Sequence, residues 1–172
     1  MQQSLASDGE RQWSTLTEAA HRDTNGDQTT RLVELLLDAG ADPNPPGYPP
    51  LFSCIGDTDD CVRAMRSLLD AGADPNAVNP TNQDTLVHHA LKSGSDDAIE
   101  LVLSLGLSLE STDRNGRTPL LAVVHQENPD AIRRLLQGGA DPTAVDSDGL
   151  SAEQLAQDSE RTQDLLAALR MS

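Results

Sequence analysis

Leu68-Leu69-Asp70-Ala71-Gly72-Ala73-Asp74-Pro75-Asn76 decides the fold, because the chain repeats this phrase. Upstream it reads Leu35-Leu36-Leu37-Asp38-Ala39-Gly40-Ala41-Asp42-Pro43-Asn44. Downstream come a looser copy, Leu101-Val102-Leu103-Ser104-Leu105-Gly106-Leu107-Ser108-Leu109, and then Leu135-Leu136-Gln137-Gly138-Gly139-Ala140-Asp141-Pro142-Thr143. The closing glycines Gly40, Gly72, Gly106 and Gly139 recur at nearly equal steps. Self-similarity at a period near ~33 residues is the mark of stacked repeats, each too small to cover its own apolar face. Such stacks present surfaces, so the expected role is binding.

The clearest unit runs from Asp113 to Asp141. Thr118 offers a hydroxyl to cap a helix, and Pro119 suits the first helical position, where its missing N–H would be unpaired. Leu120, Val123 and Val124 form an apolar stripe at helical spacing. Asn128-Pro129 interrupts that helix. A second one carries Ala131, Ile132, Leu135 and Leu136 inward, and Gly139 closes it in a left-handed conformation. Asp141-Pro142 then forces an extended turn. Each unit is therefore a helix pair with a projecting finger.

Thr118-Pro119-Leu120 and Gly139-Ala140-Asp141 resemble the opening and closing motifs of ankyrin repeats. The other openings align as Ser14-Thr15-Leu16, Pro49-Pro50-Leu51, Asp84-Thr85-Leu86 and Ser151-Ala152-Glu153. The second helices align on Leu32-Val33, Ala64-Met65, Ala98-Ile99 and Ala131-Ile132. The resemblance implies an all-α ankyrin solenoid and a non-catalytic protein-binding function. It covers about residues 11–170. Residues 1–10 are expected to be a flexible N-terminus and 11–172 a single domain. Its units run over about 11–42, 43–74, 75–108, 109–141 and 142–172, the last a polar C-terminal cap. In this alignment the histidine slot of the opening holds Thr17, Phe52, Val87 and Leu121, so the hydrogen bonds of that histidine are expected to be missing.

The units differ in length. The stretch from the opening apolar residue to the closing pair is shortest from Leu120 to Leu135. It lengthens progressively towards the N-terminus, through Leu86 to Val102 and Leu51 to Leu68, and is longest from Leu16 to Leu36. The surplus is expected in helix-to-helix loops, where Asp23, Asp27, Asp57, Asp59 and Asp60 would form an exposed acidic cluster. Asp96, Asp97 and Asp130 read as helix-start carboxylates. Trp13 and Tyr48 directly precede capping slots on neighbouring units. In ankyrin proteins those slots and the late first-helix residues face partners. The expected concave contact surface is Trp13, Tyr48, Gln83 and Arg117 on the turns, flanked by His21, Arg22, Asp57, Lys92, His125 and Gln126. Aromatic anchors dominate interface energetics.

With 28 acidic against 12 basic residues, the net charge is −16. That argues against nucleic-acid phosphate and anionic membranes and favours a basic protein partner. Lys92 is the one lysine, and every other basic residue is arginine. With abundant Ala, Leu, Asp and Gly this suggests a GC-rich, bacterial source. Cys54 and Cys61 are too few for a disulfide scaffold, which points to a reducing cytoplasm. The stretch Met1–Glu10 has no apolar core and is not expected to be a secretory signal.

Asp23-x-Asn25-x-Asp27 with Glu34 resembles a calcium loop, but Gln28 stands where glycine is required. His88-His89 with Cys54 and Cys61 has no metal-ligand spacing, and no nucleophile–base motif occurs. No metal, no cofactor and no catalytic residue are therefore expected. The sharpest functional expectation is an inhibitor or immunity-type protein, monomeric when free, that blocks a basic protein such as a bacterial toxin enzyme. The alternatives are a generic adaptor or scaffold, or an accessory subunit of an enzyme.

Overall fold

The structure, a computed structural model, describes residues 14–21, 28–54, 58–157 and 162–170. Its elements are α1 (Thr15–His21), α2 (Gln28–Asp38), a 3-10 turn (Pro50–Phe52), α3 (Asp59–Asp70), α4 (Leu86–Ser93), α5 (Asp96–Ser104), α6 (Pro119–His125), α7 (Pro129–Gln137), α8 (Ala152–Gln157) and α9 (Thr162–Leu169). They form helix pairs in series. In the first-helix layer α1 packs on the 3-10 turn, the turn on α4, α4 on α6 and α6 on α8. In the second layer α2 packs on α3, α3 on α5 and α7 on α9. One continuous core runs between the layers from Leu16 through Leu51, Met65, Leu86, Leu120 and Ile132 to Leu165. Two of the fingers between pairs close with single antiparallel bridges, Val78 to Thr85 and Val145 to Ser151.

The expected local signals operate in unit 4. Thr118 Oγ1 accepts from the Leu121 N–H at 3.4 Å, and Asn128 Oδ1 caps α7 by accepting from Ala131 at 3.1 Å. The Asp-Pro turns are held by their own aspartates: Asp42, Asp74 and Asp141 accept the N–H two residues on.

Unit 3 starts one residue later than its apolar pattern suggests. Thr85, not Asp84, takes the capping place, and it stands one full repeat before the cap Thr118. Ser95 and Asn128, which cap the second helices, are separated by the same step, so the distance from first-helix cap to second-helix cap is the same in units 3 and 4. The additional residue sits in the finger. The Asn79 N–H donates to the Asp84 carbonyl five residues on, whereas Asp113 and Asp146 donate to Arg117 and Leu150 four residues on.

This register puts His88, not Val87, in the histidine slot, so the expected loss of its bonds is overturned in unit 3, whereas Phe52 and Leu121 keep the slot in units 2 and 4. His88 Nε2 lies 2.9 Å from the Arg117 carbonyl, which can only accept, so Nε2 carries the proton. Nδ1 then accepts from the Thr85 N–H at 3.3 Å and from the Thr85 hydroxyl at 2.9 Å, completing a capping box. Thr17 makes the matching bond in unit 1, donating from Oγ1 to the Tyr48 carbonyl at 2.9 Å. In unit 5 Gln154 replaces the imidazole, accepting from the Ser151 N–H at 2.9 Å. Phe52 cannot bond in this way. Instead His89 Nε2 donates to the Phe52 carbonyl at 2.7 Å, tying unit 3 to unit 2.

In unit 2 the second helix itself is lengthened. Here α3 has 12 residues against 9 in α5 and in α7, with Thr58 capping its start. Asp59 and Asp60 therefore lie in the first turn of α3, not in an exposed loop. Asp60 is only 6% exposed. Its carboxylate accepts the N–H of Thr29 at 2.9 Å and of Thr30 at 3.2 Å, capping α2 from the neighbouring unit. Burial pushes its pKa up, but the hydrogen bonds from Thr30 and Thr29 outweigh that and hold it below the ordinary 3.8.

Two glycines separate backbone strain from collision. Gly139 has φ +90° with nothing within 4 Å of an added Cβ, so Gly139→Ala is expected to cost about 1 kcal/mol and Gly139→Val somewhat more. Gly116 has φ +69°, and a Cβ there would meet Ser147 Oγ at 2.5 Å and Ser147 N at 2.9 Å. It would also disturb the finger contact in which Ser147 N–H and Oγ donate to the Asn115 carbonyl. Gly116→Ala should therefore shift the urea midpoint clearly further than Gly139→Ala. Equal shifts would show that the fingers yield freely.

His88 and His89 give the stack a pH dependence. Burial is the main cause that lowers both pKa values below the ordinary 6.5. The unfolded chain therefore takes up these protons first as pH falls. Their stabilising contribution is full above about 6.5 and is lost as pH drops below it toward the folded values. The urea midpoint should fall from pH 7.5 to 5.5, and the His88→Gln, His89→Gln double variant should flatten that slope. An unchanged slope in the variant would assign it to other groups.

Candidate protein-binding face

Each finger ends on the residue just before a first-helix cap, and in units 2 to 5 these are Tyr48, Asp84, Arg117 and Leu150. The peptide group of each is held by the frame described above, through the Tyr48 and Arg117 carbonyls and the finger closures at Asp84, Arg117 and Leu150. Seven residues beyond each cap, at the far end of the first helix, stand His21, Lys92 and His125 in units 1, 3 and 4. Because the first helices stack, the two rows run parallel along one face of the molecule.

Tyr48 is half-buried. Its ring meets Phe52 edge-on at 6.2 Å, and its hydroxyl accepts from Asn79 Nδ2 at 3.3 Å. It is fixed in place, with one flank to solvent. Gln83 is exposed at the finger tip and has φ +59°, where Gly116 and Gly149 occupy the matching finger position. Lys92 is engaged by Asp84, and the Arg117 side chain is half-buried with Nε lacking a hydrogen-bond partner. His125 and Gln126 are exposed at the end of α6, and His21 is exposed at the end of α1. Trp13, Arg22, Asp23, Asp27 and Asp57 lie outside the described residues.

The structure thus gathers Tyr48, Gln83, Lys92, Arg117, His125 and Gln126 on the finger-and-first-helix side. Asp59 and Asp60 belong to the opposite, second-helix layer. There a groove between α3 and α5 is lined by Asp59, Arg63, Arg66, Asp97 and Glu100 over Val62 and Leu101. It carries both signs of charge, and Arg134 of α7 pairs with Asp96 of α5 at 2.8 Å.

Sequence reasoning missed His88, because Leu86 and Val87 are both apolar and the frame slips unnoticed by one. The Thr85-x-x-His88 spacing, matching Ser151-x-x-Gln154, carried the signal. It also missed Asp84, which is 1% exposed and acts as an internal partner. Among the described residues no group of three or more His, Cys, Asp and Glu side chains could hold a metal ion. No described helix is long and apolar enough to cross a membrane.

Comparison with known proteins agrees with this architecture. Residues 60–146 match the family model for ankyrin repeats (3 copies). The E3 ubiquitin-protein ligase KEG of Arabidopsis thaliana is 39% identical over 62 residues, 35% of this chain and 4% of that protein. The ADP-ribosylation factor GTPase-activating protein AGD2 of the same plant is 37% identical over 67 residues, 39% of this chain and 9% of that protein. Protein phosphatase 1 regulatory subunit 27 of Mus musculus is 33% identical over 63 residues, 37% of this chain and 41% of that protein. The matched segments span well under two thirds of each relative. The family model covers half of the chain, and the chain belongs to the ankyrin-repeat family, an all-α solenoid that serves as a protein–protein interaction module.

Proposed function

We propose that the chain binds and blocks a basic protein through its finger-and-first-helix face, acting as an inhibitor or immunity-type protein without catalysis of its own. One observation carries the choice of face. The peptide groups of the pre-cap row occupy equivalent, bonded positions, while their side chains differ completely: Tyr48, Asp84, Arg117 and Leu150. A rigid frame with divergent chemistry at its surface is suited to recognising one partner. The net charge of −16 supports a basic target, and a bacterial toxin enzyme is the sharpest candidate. The free chain acts as a monomer in a reducing cytoplasm, in keeping with the free cysteines Cys54 and Cys61.

The relatives favour a second reading. Their names describe a ubiquitin ligase, a GTPase-activating protein and a phosphatase regulatory subunit. An adaptor, or an accessory subunit that positions an enzyme without inhibiting it, fits those names equally well. The two readings differ in the partner's activity once bound.

A photo-crosslinker at position 125 should capture the partner, whereas one at Arg66 on the second-helix side should not. Tyr48→Ala should weaken binding most among the described face residues. With the captured partner purified, Asp23, Asp27, Asp57 and Asp59 changed together to Asn should slow association on the order of tenfold at low salt and leave dissociation nearly constant. The effect should vanish as the Debye length falls to ~3 Å at 1 M salt. Asp60 is excluded from that set because it caps α2. Stopped-flow mixing measures both rates, and an association rate indifferent to salt and to these changes would rule out a basic partner. Loss of the partner's activity on binding separates inhibitor from adaptor.

A further inference from the structure

Matching positions in consecutive units show what one of them lacks. In unit 3 the Asp84 carboxylate, 1% exposed, receives Lys92 Nζ on both oxygens at 2.6 and 2.8 Å. Asn82 Nδ2 adds a further donation at 2.7 Å. The acid and base of this pair come from the residue before the cap Thr85 and from the far end of α4. In unit 4 the same two places, one repeat on, hold Arg117 and His125. Both finger ends are closed by a backbone bond to the pre-cap carbonyl, from Asn79 to Asp84 across one residue more than from Asp113 to Arg117. The acid and base of unit 3 are replaced in unit 4 by a base and an imidazole, and among the described residues no carboxylate pairs with Arg117.

The consequence is visible at Arg117. Among the described residues its guanidinium forms no ion pair, and Nε is buried with no acceptor. Buried polar groups in native proteins are almost always satisfied, so a guanidinium N–H held in this state is set for an acceptor from elsewhere. The fork of an arginine matches a carboxylate in two parallel bonds.

We propose that unit 4 is a receptor for one carboxylate side chain, Asp or Glu, of the protein partner, held by Arg117 with His125 as second donor. The partner supplies what Asp84 supplies internally in unit 3. This rests on the reading of the finger-and-first-helix face as the binding face. It also refines the idea of a basic partner. A basic surface is drawn in by the net negative charge, and a single acidic side chain fixes the register at Arg117, whose buried Nε has no acceptor. A carboxylate is favoured over phosphate because the equivalent place in unit 3 is built around a carboxylate, and because a dianion is repelled more strongly by a chain of charge −16.

The full chain, with its arginine side-chain N–H groups observed by NMR, tests this with capped Gly-Glu-Gly, capped Gly-Gln-Gly and inorganic phosphate as probes. The Arg117 Nε–H resonance should shift and saturate with the glutamate peptide, with affinity at least about tenfold above that for the glutamine peptide, the equivalent of one charge-assisted contact. Arg117→Gln should abolish the shifts at His125. Arg117→Asp should rebuild the unit 3 pairing with His125, raise Tm and abolish peptide binding, which keeps the test open if the glutamine variant folds poorly. Equal response to the two peptides, tighter binding of phosphate, or shifts that survive both substitutions would overturn the proposal. If the peptide test fails while a crosslinker at position 125 still captures the partner, the face stands and only the carboxylate receptor falls.

Discussion

The hydrogen bond from His88 Nε2 to the Arg117 carbonyl is the contact on which the array depends most directly. It joins one unit's first helix to the next unit's finger, and the same imidazole closes the capping box at Thr85. One neutral ring therefore sets helix start, unit spacing and the direction of the pre-cap row together. Being buried, the imidazole works only while uncharged. Thr17 and Gln154 fill the same slot with shorter reach. Thr17 retains the bond to the next unit, and Gln154 retains the cap. The frame is preserved by different chemistries because what it requires is a bond at a given place, not a particular side chain.

Much of this was legible because helices and turns are local. Gly139 at the end of α7, Thr118 and Pro119 at the start of α6, and the Asp-Pro turns declare themselves within a few residues. The register of unit 3 was not legible in the same way. Leu86 and Val87 both satisfy the apolar pattern, and the finger had silently gained a residue between Asn79 and Asp84. Asp60 was hidden for another reason. Its sequence neighbourhood, Asp57 to Asp60, reads as an acidic loop, and only the fold brings it to the amide groups of Thr29 and Thr30 in the preceding unit. Of the candidate face, the rows containing Tyr48, Lys92, Arg117 and His125 followed from the repeat. The pairing of Lys92 and the lack of pairing at Arg117 did not, because the same slots hold opposite charges.

The acidity of the chain thus divides into two populations. Asp42, Asp74 and Asp141 hold turns, Asp113 and Asp146 hold finger bends, and Asp60 and Asp84 are buried acceptors. These carboxylates are committed to the fold, although they still contribute to the distant field. Others, such as Asp59, Asp96, Asp97 and Asp130, stand exposed at second-helix starts, where they oppose the helix dipole and remain open to solvent. The second-helix side therefore combines stabilising charge with attraction, while the finger side carries Lys92, Arg117 and His125.

On the proposed reading, that separation lets one molecule attract with one side and discriminate with the other. Long-range attraction depends on total charge and is weakened by salt, so it cannot select among basic proteins. Selection needs contacts in fixed positions, and the pre-cap row offers an aromatic edge at Tyr48, a satisfied pair at Asp84, a guanidinium with an unpartnered Nε–H at Arg117 and an aliphatic chain at Leu150. A partner lacking a matching acceptor would leave Arg117 unpaired and further desolvated, which costs more than a missing attraction gains. The order of these side chains along the stack is thus a spatial code, and the bonds made by Thr17, His88 and the finger closures keep it in register.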